Sequence, residues 1–93
     1  GMPMTRQFMN TQFEIIVAPE TLELAIDKIQ LETRWSQNRK TVLKILQGIV
    51  RTSQRRGTDL IEISVRHRKK EDAQAVAEAV YQAYEQRRKD LEL

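Results

Sequence analysis

The sequence predicts an α+β fold, β-α-α-β-β-α, with a three-stranded sheet of the split βαβ type and helices packed mainly on one face. Three observations predict it. Two stretches in the first half carry apolar residues at helical spacing, residues 60–67 alternate strictly, and a long amphipathic helix follows them. A strand–helix–strand crossover followed by a hairpin is typical of split βαβ arrangements.

The chain has the length of one domain, 93 residues, and we place that domain at 12–90. Residues 1–11 are predicted to be a flexible lead-in that starts with a cloning remnant, Gly1, and residues 91–93 a tail. Hydrophobic residues make up 40% and charged residues 31%, which is typical of a globular chain. The absence of cysteine excludes disulfides, thiolate nucleophiles and zinc–thiolate sites.

The stretch QFEIIVA at 12–18 predicts the first strand, in which alternate residues form one apolar face: Phe13, Ile15 and Val17. Ile16 on the opposite face indicates a strand covered at least partly on both sides. Pro19 ends the strand and suits the first turn of a helix. That helix extends from Glu20 and carries an apolar stripe at helical spacing: Leu22, Ala25, Ile26 and Ile29.

A connector at 31–38 follows and holds the only tryptophan, Trp35, which is predicted to plug the helix pair. The second helix has its own apolar stripe and weakens at Gly48: Val42, Ile45, Leu46 and Ile49. Residues 50–55 predict a short polar strand. Residues 56–59 predict the turn, where Gly57 is free to take a positive φ.

The strand at 60–67 has the clearest alternation, which predicts that Ile61, Ile63 and Val65 are buried under the helices. We place it between the other two strands and antiparallel to both. The last helix is predicted from about Glu71 to Arg88, with a core stripe of small and apolar residues: Ala73, Val76, Ala77, Val80 and Tyr84.

Catalysis and cofactor binding are not predicted. The single histidine, His67, has no nucleophile or orienting carboxylate that the sequence nominates. The carboxylates are scattered along helix exteriors rather than clustered as metal ligands. No glycine-rich loop precedes a helix, so a phosphate cradle is not expected either.

Charge is concentrated in one stretch. The net charge is only +3, yet residues 51–70 hold seven basic side chains and two acidic ones. We expect Arg55, Arg56, Arg66 and Arg68 to be mostly solvated and to contact acidic neighbours, lipid headgroups or a neighbouring subunit. The alternative is a small basic nucleic-acid-binding module that uses this stretch. Its strands lack the aromatic residues on which bases stack, but contact with a duplex backbone stays open.

Four stretches together resemble a known family: TQFEIIVAPETLELAI (11–26), Trp35, RRGTDLIEISV (55–65) and AQAVAEAVYQAY (73–84). In this order and at these spacings they resemble the periplasmic base of the chain length determinant, or polysaccharide co-polymerase (Wzz-like), family, including exopolysaccharide export relatives. The likeness covers about residues 11–88. Lys69-Lys70 stands where the family commonly has Asp-Pro, so the N-cap of the last helix is lost unless Glu71 or Asp72 supplies it. Ala77-Glu78 stands where the family favours Ala-Asn.

The resemblance implies a non-enzymatic scaffold that influences how many repeat units a polymerase adds to a lipid-linked polysaccharide. It implies a membrane-anchored parent at the periplasmic face of the bacterial inner membrane, of which this chain is a soluble fragment. The implied partners are further copies of the protein, the polysaccharide polymerase, and lipid headgroups or polysaccharide. The chain has no apolar run near the ~20 residues that span a membrane, and no signal peptide is visible.

Self-association is expected through the first strand. A strand returning from the family's helical arm is missing from this sequence, so the strand at 12–18 would be an open edge. That strand is apolar and lacks the lysines that discourage edge pairing. Ile16 is therefore the candidate contact on this edge.

Overall fold

Five helices and two strands make up residues 5–92, the part of the chain that this computed structural model describes. The helices are α1 (Arg6–Val17), α2 (Pro19–Ile29), α3 (Leu31–Trp35), α4 (Arg39–Ile49) and α5 (Lys70–Leu91). The strands are β1 (Val50–Gln54) and β2 (Ile61–Val65). The predicted α+β class is confirmed. The first four residues of the predicted lead-in and the last residue of the predicted tail lie outside the described residues.

The predicted three-stranded sheet is wrong for the described residues, where the sheet has two antiparallel strands. The register runs from Val50 opposite Val65 to Gln54 opposite Ile61. The strand predicted to be central is therefore an edge strand. The hairpin itself was predicted correctly, and Gly57 in its turn has a φ of 78°.

The predicted strand at 12–18 is the second half of helix α1, and part of the predicted lead-in is its first half. Thr5 begins this helix, because its Oγ1 accepts a hydrogen bond from the Phe8 N–H at 3.0 Å. The buried residues Met9, Gln12 and Ile16 recur at helical spacing along one side. The apolar run FEIIV satisfies both periods, and only the residues before it reveal the helical one.

Helices α2 and α5 form the centre of the core. Pro19 occupies the first turn of α2, as predicted. Leu22 and Ile26 of α2 and Val80 of α5 are completely buried. Helix α4 adds Val42 and Leu46 to the same cluster.

The hairpin covers this core only in part. Ile61, Ile63 and Val65 pack against the helical core, as predicted, but they are half-buried rather than buried. The cause is the missing third strand, since an edge strand has a neighbour on one side only. A cavity at Ile63 therefore costs less than the same cavity between α2 and α5.

We predict that Ile26→Ala lowers the free energy of unfolding by about 2–5 kcal/mol, because it leaves a cavity where no solvent reaches. Urea unfolding followed by circular dichroism measures this change. The matched control is Leu60→Ala, whose side chain is 58% exposed. We expect that control to stay within about 0.5 kcal/mol of the wild type. Equal losses in the two variants would contradict this placement of the core.

Candidate interaction surface

The outer face of the β1–β2 hairpin, turned away from the helices, is mostly basic. Antiparallel pairing places Arg51 opposite Ser64. Because side chains alternate between the two faces of a strand, every second residue of each strand lies on this same face. Its side chains are all exposed: Arg51, Ser53, Arg55, Glu62, Ser64 and Arg66. Three arginines against one glutamate suit this face to an anionic or acidic partner.

The four arginines singled out in the sequence, Arg55, Arg56, Arg66 and Arg68, are all exposed. The hairpin does not gather them into one patch. Two stand at the turn, and two follow the open end of β2. About six residues of extended chain separate the two pairs, a distance of roughly 20 Å.

Ion pairing does little to hold these arginines. Arg55 Nε lies 3.8 Å from Glu62 Oε1, and both side chains are more than half exposed. Such a pair contributes about 0–1 kcal/mol. The guanidinium of Arg51 instead donates to the backbone carbonyls of Gln47 and Val50, at the end of α4.

Ile16 is not on this surface. It lies on the inner side of α1 and is completely buried in the core. The edge on which it was predicted to act does not exist, because residues 12–17 are helical. Within the described residues, open strand edges belong to the hairpin alone.

An apolar groove runs beside β2, between the strand and α5. Its volume is about 630 Å³, and it is lined by Ile61, Ile63, Gln74, Ala77, Glu78 and Tyr81. Tyr81 is 54% exposed, and Leu60 at the start of the strand is 58% exposed. Exposed apolar side chains beside a free strand edge are typical of a surface that takes a partner.

Asp72 fixes the start of α5 against α3. Its Oδ1 accepts from Arg34 Nε at 2.8 Å and from Arg34 Nη2 at 2.7 Å. Its Oδ2 accepts from Trp35 Nε1 at 3.0 Å. Only 7% of Asp72 is exposed, and each of its carboxylate oxygens accepts from one of these donors.

These contacts change the acidity of Asp72. The hydrogen bond from Trp35, followed by that from Arg34, lowers the pKa of the Asp72 carboxyl below its ordinary value. Desolvation opposes this shift but is the smaller effect. The carboxylate also lies in the first turn of α5, where the helix dipole favours negative charge.

Trp35 also links this cluster to the chain segment between β2 and α5. Its ring stacks on His67 with a centroid distance of 5.2 Å and an interplanar angle of 7°. The backbone N–H of Lys69 donates to His67 Nδ1 at 3.0 Å. Trp35 packs against the core, as predicted, but its N–H also donates to Asp72, which the sequence analysis named only as a possible helix cap.

Sequence reasoning missed Asp72 and Arg34. Neither Glu71 nor Asp72 caps α5, since Lys69 is the N-cap residue and makes no side-chain capping bond. A signal was available, because Asp72 lies four residues before Val76 on the buried stripe of α5. An acid on an apolar stripe requires buried donors, which the sequence alone does not identify.

The described residues contain no group of three or more His, Cys, Asp or Glu side chains that could hold a metal ion. Across residues 5–92, every helix is too short or too polar to cross a membrane. No family model, no curated protein and no solved structure matches the chain. The fold and the surface define a class only: a small α+β domain whose helical core carries one exposed, largely basic hairpin.

We predict that Asp72→Asn lowers the melting temperature at pH 7 and that the difference from wild type closes on acidification. The folded-state pKa of Asp72 is depressed, so its stabilisation is complete above the unfolded-state value of about 4. It is lost as the pH falls further, through the lower pKa of the folded state. Thermal unfolding between pH 7 and pH 2 measures the difference.

The control is Asp90→Asn, an exposed aspartate with no ion pair or hydrogen bond among the described side chains. It should change the melting temperature little at any pH. A gap between wild type and Asp72→Asn that persists unchanged at pH 2 would show that the lost stability does not come from the carboxylate charge.

Proposed function

We propose that this chain is a non-catalytic scaffold and oligomerisation domain of a polysaccharide chain length determinant. In this role it acts at the periplasmic face of the bacterial inner membrane and influences the chain length or export of a surface polysaccharide or exopolysaccharide. Its partners are copies of the same protein and the membrane polymerase.

The observation that carries the proposal is the packing of the four resembling stretches into one unit. They lie in α1 and α2, in α3, in the hairpin and in α5. Helix α5, which holds the fourth stretch, packs against α1 and α2 and against β2. Trp35 bonds to Asp72, one residue before the fourth stretch, and stacks on His67, two residues after the third. The stretches that carry the resemblance are therefore neighbours in one unit of the fold.

The departures from the family pattern fall on the surface. Lys69 and Lys70 are exposed, and the missing side-chain cap leaves the start of α5 intact because Asp72 anchors it. Glu78 is exposed beside the groove, and Ala77 lines it. Differences at these positions alter what the surface contacts and leave the core unchanged.

The surface suits a scaffold near a membrane. The outer face of the hairpin presents arginines that attract anionic headgroups, each by about 1 kcal/mol near a charged bilayer. The groove and the open edge of β2 offer a second, apolar contact on a different side of the hairpin. A scaffold needs both kinds of contact, one for its location and one for its neighbours.

The basic outer face also favours a second candidate, a nucleic-acid-binding module. Arg51, Arg55 and Arg66 are exposed on one face and would contact phosphates without reading bases. Binding of the purified chain to random duplex DNA that weakens steeply with salt supports this candidate. We expect no such binding at physiological ionic strength.

We predict that in-frame deletion of residues 5–92 from the full gene changes the length distribution of the exported polysaccharide without changing its sugar composition. Gel electrophoresis and size-exclusion chromatography of the extracted polymer measure the distribution. Complementation uses two point variants of exposed residues on α5: Tyr81→Glu in the groove and Lys89→Glu beyond it.

Tyr81→Glu is expected to shift the distribution, because it places a charge in the apolar groove, and Lys89→Glu is expected to match the wild type. Immunoblotting confirms that both variants accumulate equally. An unaltered distribution in the deletion strain would refute the polysaccharide role whatever the point variants do.

A further inference from the structure

We infer that β2 is a self-complementary edge strand, through which two copies of this chain pair in antiparallel fashion and form a four-stranded sheet. Such pairing would rest on the free edge of the hairpin and the order of charges along it, whatever the chain does in polysaccharide export.

The edge of β2 has unused hydrogen-bonding groups. Arg66 N donates to Ile49 O at 3.1 Å, and Arg55 N donates to Leu60 O at 2.7 Å. Even-numbered residues of β2 therefore bond to β1, and alternation directs the N–H and C=O groups of the odd-numbered residues to the other side. In the described part of the chain, those groups have no partner: Ile61, Ile63 and Val65.

The same edge is accessible. The groove between β2 and α5 opens along it, and Ile61 and Ile63 are only half-buried although they face the helices. The opposite edge of the sheet is less available, since α1 packs against β1 and the Val50 N–H already donates to Leu46 O. An added strand therefore has one preferred place.

The order of charges identifies the occupant. Going along the chain, the β2 segment is acidic first, at Asp59 and Glu62, and basic afterwards, at Arg66 and Arg68. A parallel copy would set like charges together, whereas an antiparallel copy sets acid against base. The segment is thus complementary to itself in the antiparallel direction only.

Charge also selects the register. With Ser64 on the twofold axis, Glu62 lies opposite Arg66 of the second copy, and the reverse pair forms by symmetry. Directly opposed side chains in such pairs stand about 4.5–5.5 Å apart at Cβ, and each opposite-charge pair contributes roughly 0.2–1 kcal/mol. Moving the axis to Ile63 would set Glu62 opposite Ser64 and leave both charges unmatched.

The inner face fits the same register. Ile63 of one copy lies opposite Val65 of the other, and these two residues exchange the hydrogen bonds that the single chain leaves unmade. The apolar groove of each copy then faces the added strand. Hydrogen bonding, apolar contact and charge are therefore all satisfied in this arrangement.

Charged residues on an edge strand usually prevent association. Here their order permits it, and Glu62 is held only by its exposed contact with Arg55 at 3.8 Å. Strands of five residues make a small interface, below the ~1,200 Å² of stable complexes. We therefore expect a weak, concentration-dependent dimer.

Sedimentation velocity of the 93-residue chain across a concentration series at low salt tests the inference. Glu62→Arg and Arg66→Glu each set like charges together at both symmetric pairs. Each is expected to weaken dimerisation several-fold, up to about tenfold. An equimolar mixture of the two variants restores both opposite-charge pairs and should dimerise as well as the wild type.

Two exposed residues outside the hairpin provide controls with the same changes in net charge: Glu14→Arg and Lys44→Glu. These variants, alone or mixed, should dimerise like the wild type. Amide hydrogen exchange supplies a second measurement. The Ile63 and Val65 amides should gain protection as concentration rises, whereas the Ser64 amide, already bonded to β1, should not.

A wild-type chain that stays monomeric at millimolar concentration would overturn the inference. The partner of this edge would then be a strand of another protein. A mixture of Glu62→Arg and Arg66→Glu that associates no better than either variant alone would also overturn the inference. Neither result would contradict the proposed polysaccharide role, because the gene deletion tests that role separately.

Discussion

The Asp72 carboxylate is the constraint on which the arrangement of this domain depends. It takes hydrogen bonds from Arg34 and Trp35, which lie 38 and 37 residues away in the chain, and so links α3 to the first turn of α5. Trp35 in turn stacks on His67, just after β2. A buried acid is stable only while its donors stay in place, so the interaction fixes how the first turn of α5 lies against α3.

A second polar tether works beside it. Arg39 at the start of α4 bonds to Asp27 of α2 and lies 3.0 Å from Glu32 of α3. The two clusters hold the short α3 on both sides, which explains how five residues keep a helical turn between two left-handed residues, Gln30 and Ser36. The apolar core supplies most of the stability, and these contacts determine the geometry around it.

The elements that could be predicted from the sequence are those whose signals lie within the element itself. Helices α2, α4 and α5 and the hairpin were predictable, because each has one clear period and marked ends, such as Pro19 and Gly57. The FEIIV run fits both the helical period and the strand period. The residue that decides between them is the N-cap Thr5, which lies before the run. The exposure of the arginines could be predicted from composition. The partners of Asp72 could not be predicted, since contacts across 37 residues leave no local pattern.

The buried hydrogen bond from the Tyr84 hydroxyl to Gln12 Oε1, 2.6 Å long, joins residues 72 apart. Burial raises the pKa of Tyr84, which keeps the hydroxyl protonated and able to donate. Helix α1 therefore cannot complete its contacts until Tyr84 has been synthesised, although α2 and β1, on which it also packs, are made earlier. At about 5–20 residues per second, roughly 4–14 s pass between the synthesis of Gln12 and that of Tyr84.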